Sequence, residues 1–173
     1  MRIIAGEHRG ARIFAPKGMD TRPTSDRVRE AAFNLIGPVD GASVLDLFAG
    51  SGAMGLEALS RGATTAVFVE NDREASRTID RNIEKLRVTG GRVVQQDVLQ
   101  ALALDHTTYD LVLCDPPYGY SQLGRLAPYL KAKVAPDGLL VYETADREEP
   151  EIQGLRVRTS RTYGSARLTL FEH

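Results

Sequence analysis

The sequence predicts an α/β fold: a mostly parallel, seven-stranded sheet with helices on both faces, finished by an antiparallel C-terminal hairpin and preceded by a small N-terminal β-hairpin. Three observations predict it. From Ser43 onward, short apolar runs alternate with amphipathic stretches of helical period, as strands buried on both faces require. A glycine-rich turn, Gly50-Ser51-Gly52-Ala53-Met54-Gly55, joins the first run to the helix after it. After Glu143 two strand-like runs are separated only by Tyr163-Gly164-Ser165-Ala166, too short for a helical crossover, so they pair antiparallel.

In chain order, apolar runs at 2–5 and 11–15 flank a turn at 6–10 and read as a hairpin with Arg9 and Arg12 near its tip. This basic leader, 1–23 with its loop, reads as an appendage to a main domain at 24–173. Thr24 is placed to cap a helix whose apolar positions Val28, Ala31, Ala32, Leu35 and Ile36 follow the i, i+3, i+4, i+7, i+8 pattern, and Gly37 with Pro38 ends it. Strands follow at 43–47, 66–70, 92–96, 111–115 and 139–143, with helices near 52–61, 72–86, 98–104 and 123–133. The helix at 72–86 is the clearest, with Asn71 as its expected cap, Glu74 completing a capping-box-like pair, and Ala75, Ile79, Ile83 and Leu86 along one face. The hairpin strands are expected at 156–162 and 167–172.

Composition narrows the function classes. A chain of 173 residues with 42% hydrophobic content fits one compact domain with a proper core. It has no apolar run of about 18 residues, and its start lacks the apolar core of a secretory signal, so a soluble cytoplasmic protein without membrane contact is expected, and separately a monomer. Cys114 is the single cysteine, and His8, His106 and His173 are scattered, so neither a disulfide nor a metal site is expected. The net charge of −1 is unevenly placed: seven basic and three acidic residues between Met1 and Arg29 make that end +4 and leave −5 for the rest. Arg2, Arg9, Arg12, Lys17, Arg22 and Arg27 are therefore the candidate contacts to a polyanion.

The glycine turn lets the backbone approach a ligand at the carboxyl ends of the strands, a need shared by dinucleotides and by S-adenosylmethionine. Glu70, ending the next strand about 20 residues later, can accept both hydroxyls of an adenosine ribose; it can also simply favour the N-terminus of the following helix. Asp97 can face an adenine edge or cap its own helix. Asp46 tilts the choice, because a carboxylate just before the turn repels a pyrophosphate yet suits the ammonium of a methionine moiety.

Asp115-Pro116-Pro117-Tyr118 is the most specific signal. Its prolines fix φ and remove both N–H donors, so the turn offers acceptors only, which suits an amino group. An exocyclic amine on a base is a poor nucleophile; acceptors gripping its hydrogens draw the nitrogen toward tetrahedral geometry, and Tyr118 offers a stacking face for an unpaired or flipped base. Cys114, opposite to Asp115 in strand alternation, reads as a buried small hydrophobe and not as a nucleophile.

Together these motifs resemble the Asp-Pro-Pro-Tyr amino-methyltransferases of the class I, Rossmann-like fold, and more narrowly the bacterial RsmD-type family that methylates a guanine N2 in 16S ribosomal RNA. The narrower resemblance rests on Arg2-Ile3-Ile4-Ala5-Gly6 with Arg9-Gly10, on Arg22-Pro23-Thr24-Ser25-Asp26-Arg27-Val28-Arg29-Glu30, on Leu45 to Gly52 followed by Gly55-Leu56-Glu57-Ala58, and on Asp115 to Tyr118. It implies S-adenosylmethionine as cofactor, lined by Asp46, Phe48, Ala49, Gly50, Gly52, Glu70, Asn71, Asp97 and Val98. It also implies a guanine amine held by Asp115, Pro116, Pro117 and Tyr118, and a 16S ribosomal RNA partner, in a small-subunit assembly particle, gripped by the basic leader. Arg22 and Thr24 would close over the cofactor or touch phosphate, unless Thr24 only caps its helix. The competing readings are adenine-N6 methylation of DNA, methylation of a glutamine amide (where Asn usually replaces Asp115), a non-catalytic RNA-binding module of the same shape, and an NAD-dependent dehydrogenase, disfavoured by Asp46.

Overall fold

The computed structural model describes residues 1–17 and 25–173. Among these residues seven strands form one sheet: β1 (Ser43–Leu47), β2 (Thr65–Glu70), β3 (Gly91–Gln95), β4 (Tyr109–Cys114), β5 (Val134–Ala145), β6 (Arg156–Tyr163) and β7 (Ala166–Glu172), in the order β3-β2-β1-β4-β5-β7-β6. The first five are parallel, and β7 lies antiparallel between β5 and β6. This is the expected class I methyltransferase sheet with its antiparallel C-terminal pair.

Among the described residues five helices cover it: α1 (Asp26–Ile36), α2 (Ala53–Ser60), α3 (Arg73–Leu86), α4 (Val98–Leu104) and α5 (Leu123–Lys133). Strand alternation sorts the core into two layers. Val44, Phe68, Leu113 and Val141 point to the side packed by Phe33 of α1, Leu56 of α2 and Ile79 of α3. Leu45, Val69, Val112 and Leu140 point to the side packed by Val98 and Leu102 of α4 and by Leu126 and Leu130 of α5. Apolar runs buried on both faces are thus satisfied by helices on both.

Two caps differ from expectation by one residue. Asp72, not Asn71, caps α3, accepting from the Ala75 N–H at 2.8 Å. Ser25 caps α1, accepting from the Val28 N–H at 3.2 Å, while the expected cap Thr24 lies outside the described residues. Where two capping-competent residues are adjacent, backbone geometry decides and composition does not.

Among its described residues the leader makes one antiparallel bridge, Arg2 to Arg12, in place of the two expected strands. It packs into the core rather than hanging from it: Ile3 and Ile13 are buried in the layer of α1, α2 and α3. The buried Glu57 of α2 accepts from the N–H groups of Ile4 at 2.8 Å and Ala5 at 3.0 Å and from Arg61 Nε at 2.8 Å, and it faces Arg29 Nε at 3.5 Å. At Gly6, φ is +82° and a Cβ would fall 1.8 Å from the Ser60 carbonyl oxygen, so only glycine lets the leader lie on the end of α2.

Candidate active site

Strand order reverses at β1, which has β2 on one side and β4 on the other, and in open α/β sheets ligands bind at the carboxyl ends beside such a switch. Leu47, the last residue of β1, is in register with Cys114, the last of β4, and Cys114 with Tyr142 of β5. The glycine turn after Leu47, the proline turn after Cys114 and Glu143 therefore leave neighbouring strands at one rim. A cleft of about 1110 Å³ opens there, walled by Asp46, Phe48, Gly50 and Glu70 on one side and by Asp115 to Tyr118 on the other.

The turn is built to be tight and open. Phe48 (φ 57°), Gly50 (φ 56°) and Gly52 (φ 77°) are all left-handed, and the Gly52 N–H closes onto the Ala49 carbonyl at 2.7 Å. The non-glycine strain at Phe48 is supported by its ring, which meets Tyr120 edge to face at 5.2 Å. Gly55 serves packing: a Cβ there would sit 2.3 Å from the buried Phe68 ring and 3.1 Å from Asp46 Oδ2. Gly52 caps α2 with no side-chain bond and shapes the turn from behind, whereas Gly50, Phe48 and Ala49 face the cleft.

Glu70 braces the turn. Its Oε2 accepts from the Gly50 N–H and its Oε1 from the Asp72 N–H, each at 2.8 Å. A carboxylate has about four acceptor positions, so each oxygen keeps capacity toward the cleft. Asp46 is buried; its Oδ2 accepts from the Gly55 N–H at 2.9 Å. Burial pushes its pKa from 3.8 up to about 8, partly offset by the Gly55 bond and reinforced by the negative charges of Asp115 and Glu70.

Asp97 caps α4 through Oδ1, which accepts from Leu99 N–H at 2.9 Å and Gln100 N–H at 3.3 Å. It also lines the cleft with Val98 and Asn71. In the proline turn the Pro117 carbonyl accepts from the Tyr120 N–H at 3.1 Å, and the Pro116 carbonyl has no hydrogen bond among the described residues. Tyr118 is 63% exposed at the cleft wall. Cys114 is buried in the opposite core layer, and burial holds its thiol well above its usual pKa, which leaves it no thiolate for attack.

Of the candidate polyanion contacts, Arg9, Arg12, Lys17 and Arg27 are exposed, Arg2 is exposed but paired with Asp26 at 3.2 Å, and Arg22 lies outside the described residues. Met1, Ala15 and Pro16 bring the leader to the cleft itself. Sequence reasoning missed Tyr120, Tyr142, Glu143, Thr144 and Glu148, which also line it. Position at the carboxyl end of the fifth strand was the available signal for Glu143. Tyr120 had only its nearness to Tyr118.

Known proteins share this architecture along the whole chain. The Escherichia coli protein YhhF superposes with a TM-score of 0.90 at 34% identity, covering 100% of this chain and 97% of that one. The Bacillus subtilis (strain 168) protein YlbH is 39% identical over 182 residues, 99% of this chain and 98% of that protein. Ribosomal RNA small subunit methyltransferase D of Escherichia coli (strain K12) is 44% identical over 119 residues, which are 68% of this chain and 60% of that protein. A family model described as Conserved hypothetical protein 95 matches residues 1–172. With matches of this extent, the chain belongs to the Conserved hypothetical protein 95 family, that of the RsmD-type methyltransferases.

Proposed function

We propose that the chain methylates the exocyclic N2 of a guanine in 16S ribosomal RNA with S-adenosylmethionine as donor. One observation carries the reading: an acceptor-only turn and a glycine turn braced by a carboxylate leave register-paired strand ends and line one cleft. The name of the Escherichia coli relative supplies the small ribosomal subunit as the RNA.

The cleft residues fit this cofactor. Asp46, a buried carboxylate, would hold the ammonium group, Glu70 would take the ribose hydroxyls with its remaining acceptor positions, and Asp97 with Asn71 and Val98 would flank the adenine. Phe48, Ala49 and Gly50 offer backbone and an apolar ring beside them. When bound, the cofactor supplies an electrophilic methyl group on a sulfonium. Asp115 and the Pro116 carbonyl accept the hydrogens of the guanine amine and aim its lone pair, and Tyr118 stacks on the base. Fixing the two groups in this way is worth ~7–11 kcal/mol of barrier. The Asp115 carboxylate then receives the proton that the nitrogen releases. The leader's Arg9, Arg12 and Lys17, with Arg2, Arg22 and Arg27, would contact phosphates of an RNA within an assembling subunit, the protein acting as a cytoplasmic monomer.

The test is transfer of labelled methyl to 16S ribosomal RNA, or to small subunits lacking the modification, followed by nucleoside digestion. N2-methylguanosine is expected. Label confined to adenine N6 overturns the guanine assignment, and absence of both label and cofactor binding by calorimetry supports a non-catalytic RNA-binding module.

A further inference from the structure

The solvent side of α3 carries four exposed basic residues at intervals of four: Arg73, Arg77, Arg81 and Lys85. Residues four apart lie on one helical face, and at 1.5 Å per residue the row spans about 18 Å. One end opens on the cleft, whose wall includes Arg73. The other end meets the leader, where the Arg81 guanidinium carbon and the Lys85 ammonium lie 4.3 Å and 4.5 Å from the centroid of the Phe14 ring.

Such a row is usually neutralised by its own helix. Glu74, Asp80 and Glu84 are available on α3, yet among the described residues no carboxylate oxygen comes within 4.0 Å of any of the four basic groups. Phe14 holds two of these cations by its ring face, which restricts long side chains without cancelling their charge or occupying their N–H donors. The backbone that carries the ring is held in place, because the Phe14 N–H donates to Asn82 Oδ1 at 2.7 Å and Asn82 Nδ2 donates back to the Phe14 carbonyl at 3.0 Å.

We propose that this face of α3, continued by Arg12 and Lys17 of the leader, is a phosphate-binding track for the RNA strand that flanks the target base. The inference rests on the reading of RNA as the substrate. The row starts at the cleft, so the polymer whose base enters the cleft is the one whose backbone lies along it; an acidic protein surface has no comparable reason to begin there. Its span exceeds the ~3.4 Å rise per phosphate of one strand several times over, leaving room for each basic group to meet a phosphate of its own.

The test is the salt dependence of binding to an unmodified 16S ribosomal RNA transcript. In Arg77→Gln/Arg81→Gln/Lys85→Gln the slope of log affinity against log salt should fall by about 2, near 0.7 for each phosphate no longer neutralised, with Kd at low salt raised about tenfold or more. S-adenosylhomocysteine affinity should be unchanged, and methyl transfer should show a raised RNA KM with kcat kept. Arg77→Gln alone, at a residue with no cation-π contact to Phe14 and no hydrogen bond or ion pair to the leader among the described residues, should lower the slope by about 0.7, and Arg77→Lys should restore it. Wild-type slopes in both the triple and the Arg77→Gln variants overturn the track, whether or not methylation proceeds. Loss of slope in a chain that transfers no methyl to RNA would sink the catalytic reading and leave the track standing.

Discussion

The affinity for S-adenosylhomocysteine should rise about tenfold per pH unit up to about pH 8, and Asp46→Asn should abolish that rise. The magnitude comes from burial. Asp46 has its pKa pushed from 3.8 to about 8, so in the ligand-free chain only about one molecule in ten carries the carboxylate at pH 7 and about one in a hundred at pH 6. An ammonium bound against Asp46 requires the charged form, so binding below pH 8 first expels a proton, at ~1.4 kcal/mol for each pH unit below the pKa. Above about pH 8 Asp46 is already charged in the ligand-free chain, so the affinity should level off there, and it should fall only at more alkaline pH, where the ligand's own ammonium loses its proton. Isothermal titration calorimetry in two buffers of different ionisation heat measures both the affinity and the proton released. The same shift has a consequence for folding: the folded chain keeps a proton that the unfolded chain gives up above 3.8, so stability should fall as pH climbs from there toward about 8, and Asp46→Asn should flatten that fall. An affinity that is level between about pH 6 and pH 8, or an equal slope in wild type and Asp46→Asn, refutes the assignment of Asp46 to the ammonium.

Asp115→Ala should lower methyl transfer by about 10²–10³-fold, the scale of losing one positioned polar group at a reacting centre, with S-adenosylhomocysteine affinity kept in the same calorimetric assay. Glu70→Ala should weaken that affinity by about 10–100-fold, since it removes bonds to a charged acceptor and also releases the Gly50 and Asp72 N–H groups that shape the turn. Glu57→Ala should leave the buried Arg29 beside an empty site and cost ~3–5 kcal/mol, which at ~2–4 °C per kcal/mol for a chain of this size lowers the melting temperature by about 6–20 °C; a change under about 2 °C would show that the buried pair holds nothing together.

The sheet was legible because parallel strands covered on both faces leave continuous apolar runs, and 111–115 or 66–70 can scarcely be anything else. The site was legible where chemistry constrains residue type: the glycines, the two prolines and the carboxylates at strand ends. What stayed hidden depends on long-range geometry. The burial of Ile3 and Ile13 looks in sequence like any short apolar pair, and the anchoring of the leader is done by Glu57 and Asn82, helix residues with no motif of their own. The extent of β5 was underestimated for a local reason, since Pro136 and Gly138 suggest a loop, while the structure pairs Val134 with Tyr109 and absorbs the irregularity in a register shift before Leu111. Glu148 reaches the cleft from the segment after β5, a placement that a single sequence does not display.

Asn82 has a consequence that its place in mid-helix conceals. Its one amide is divided between two segments: Nδ2 donates to the Phe14 carbonyl and to the Ser51 carbonyl of the glycine turn, each at 3.0 Å, while Oδ1 accepts from Phe14 N–H. A buried amide left without partners is strongly destabilising, so peeling the leader away removes two of the three bonds that keep this side chain seated and frees the third to go with them. The N-terminal segment and the turn are thereby latched as a single mechanical unit, and whatever loosens one end is felt at the other.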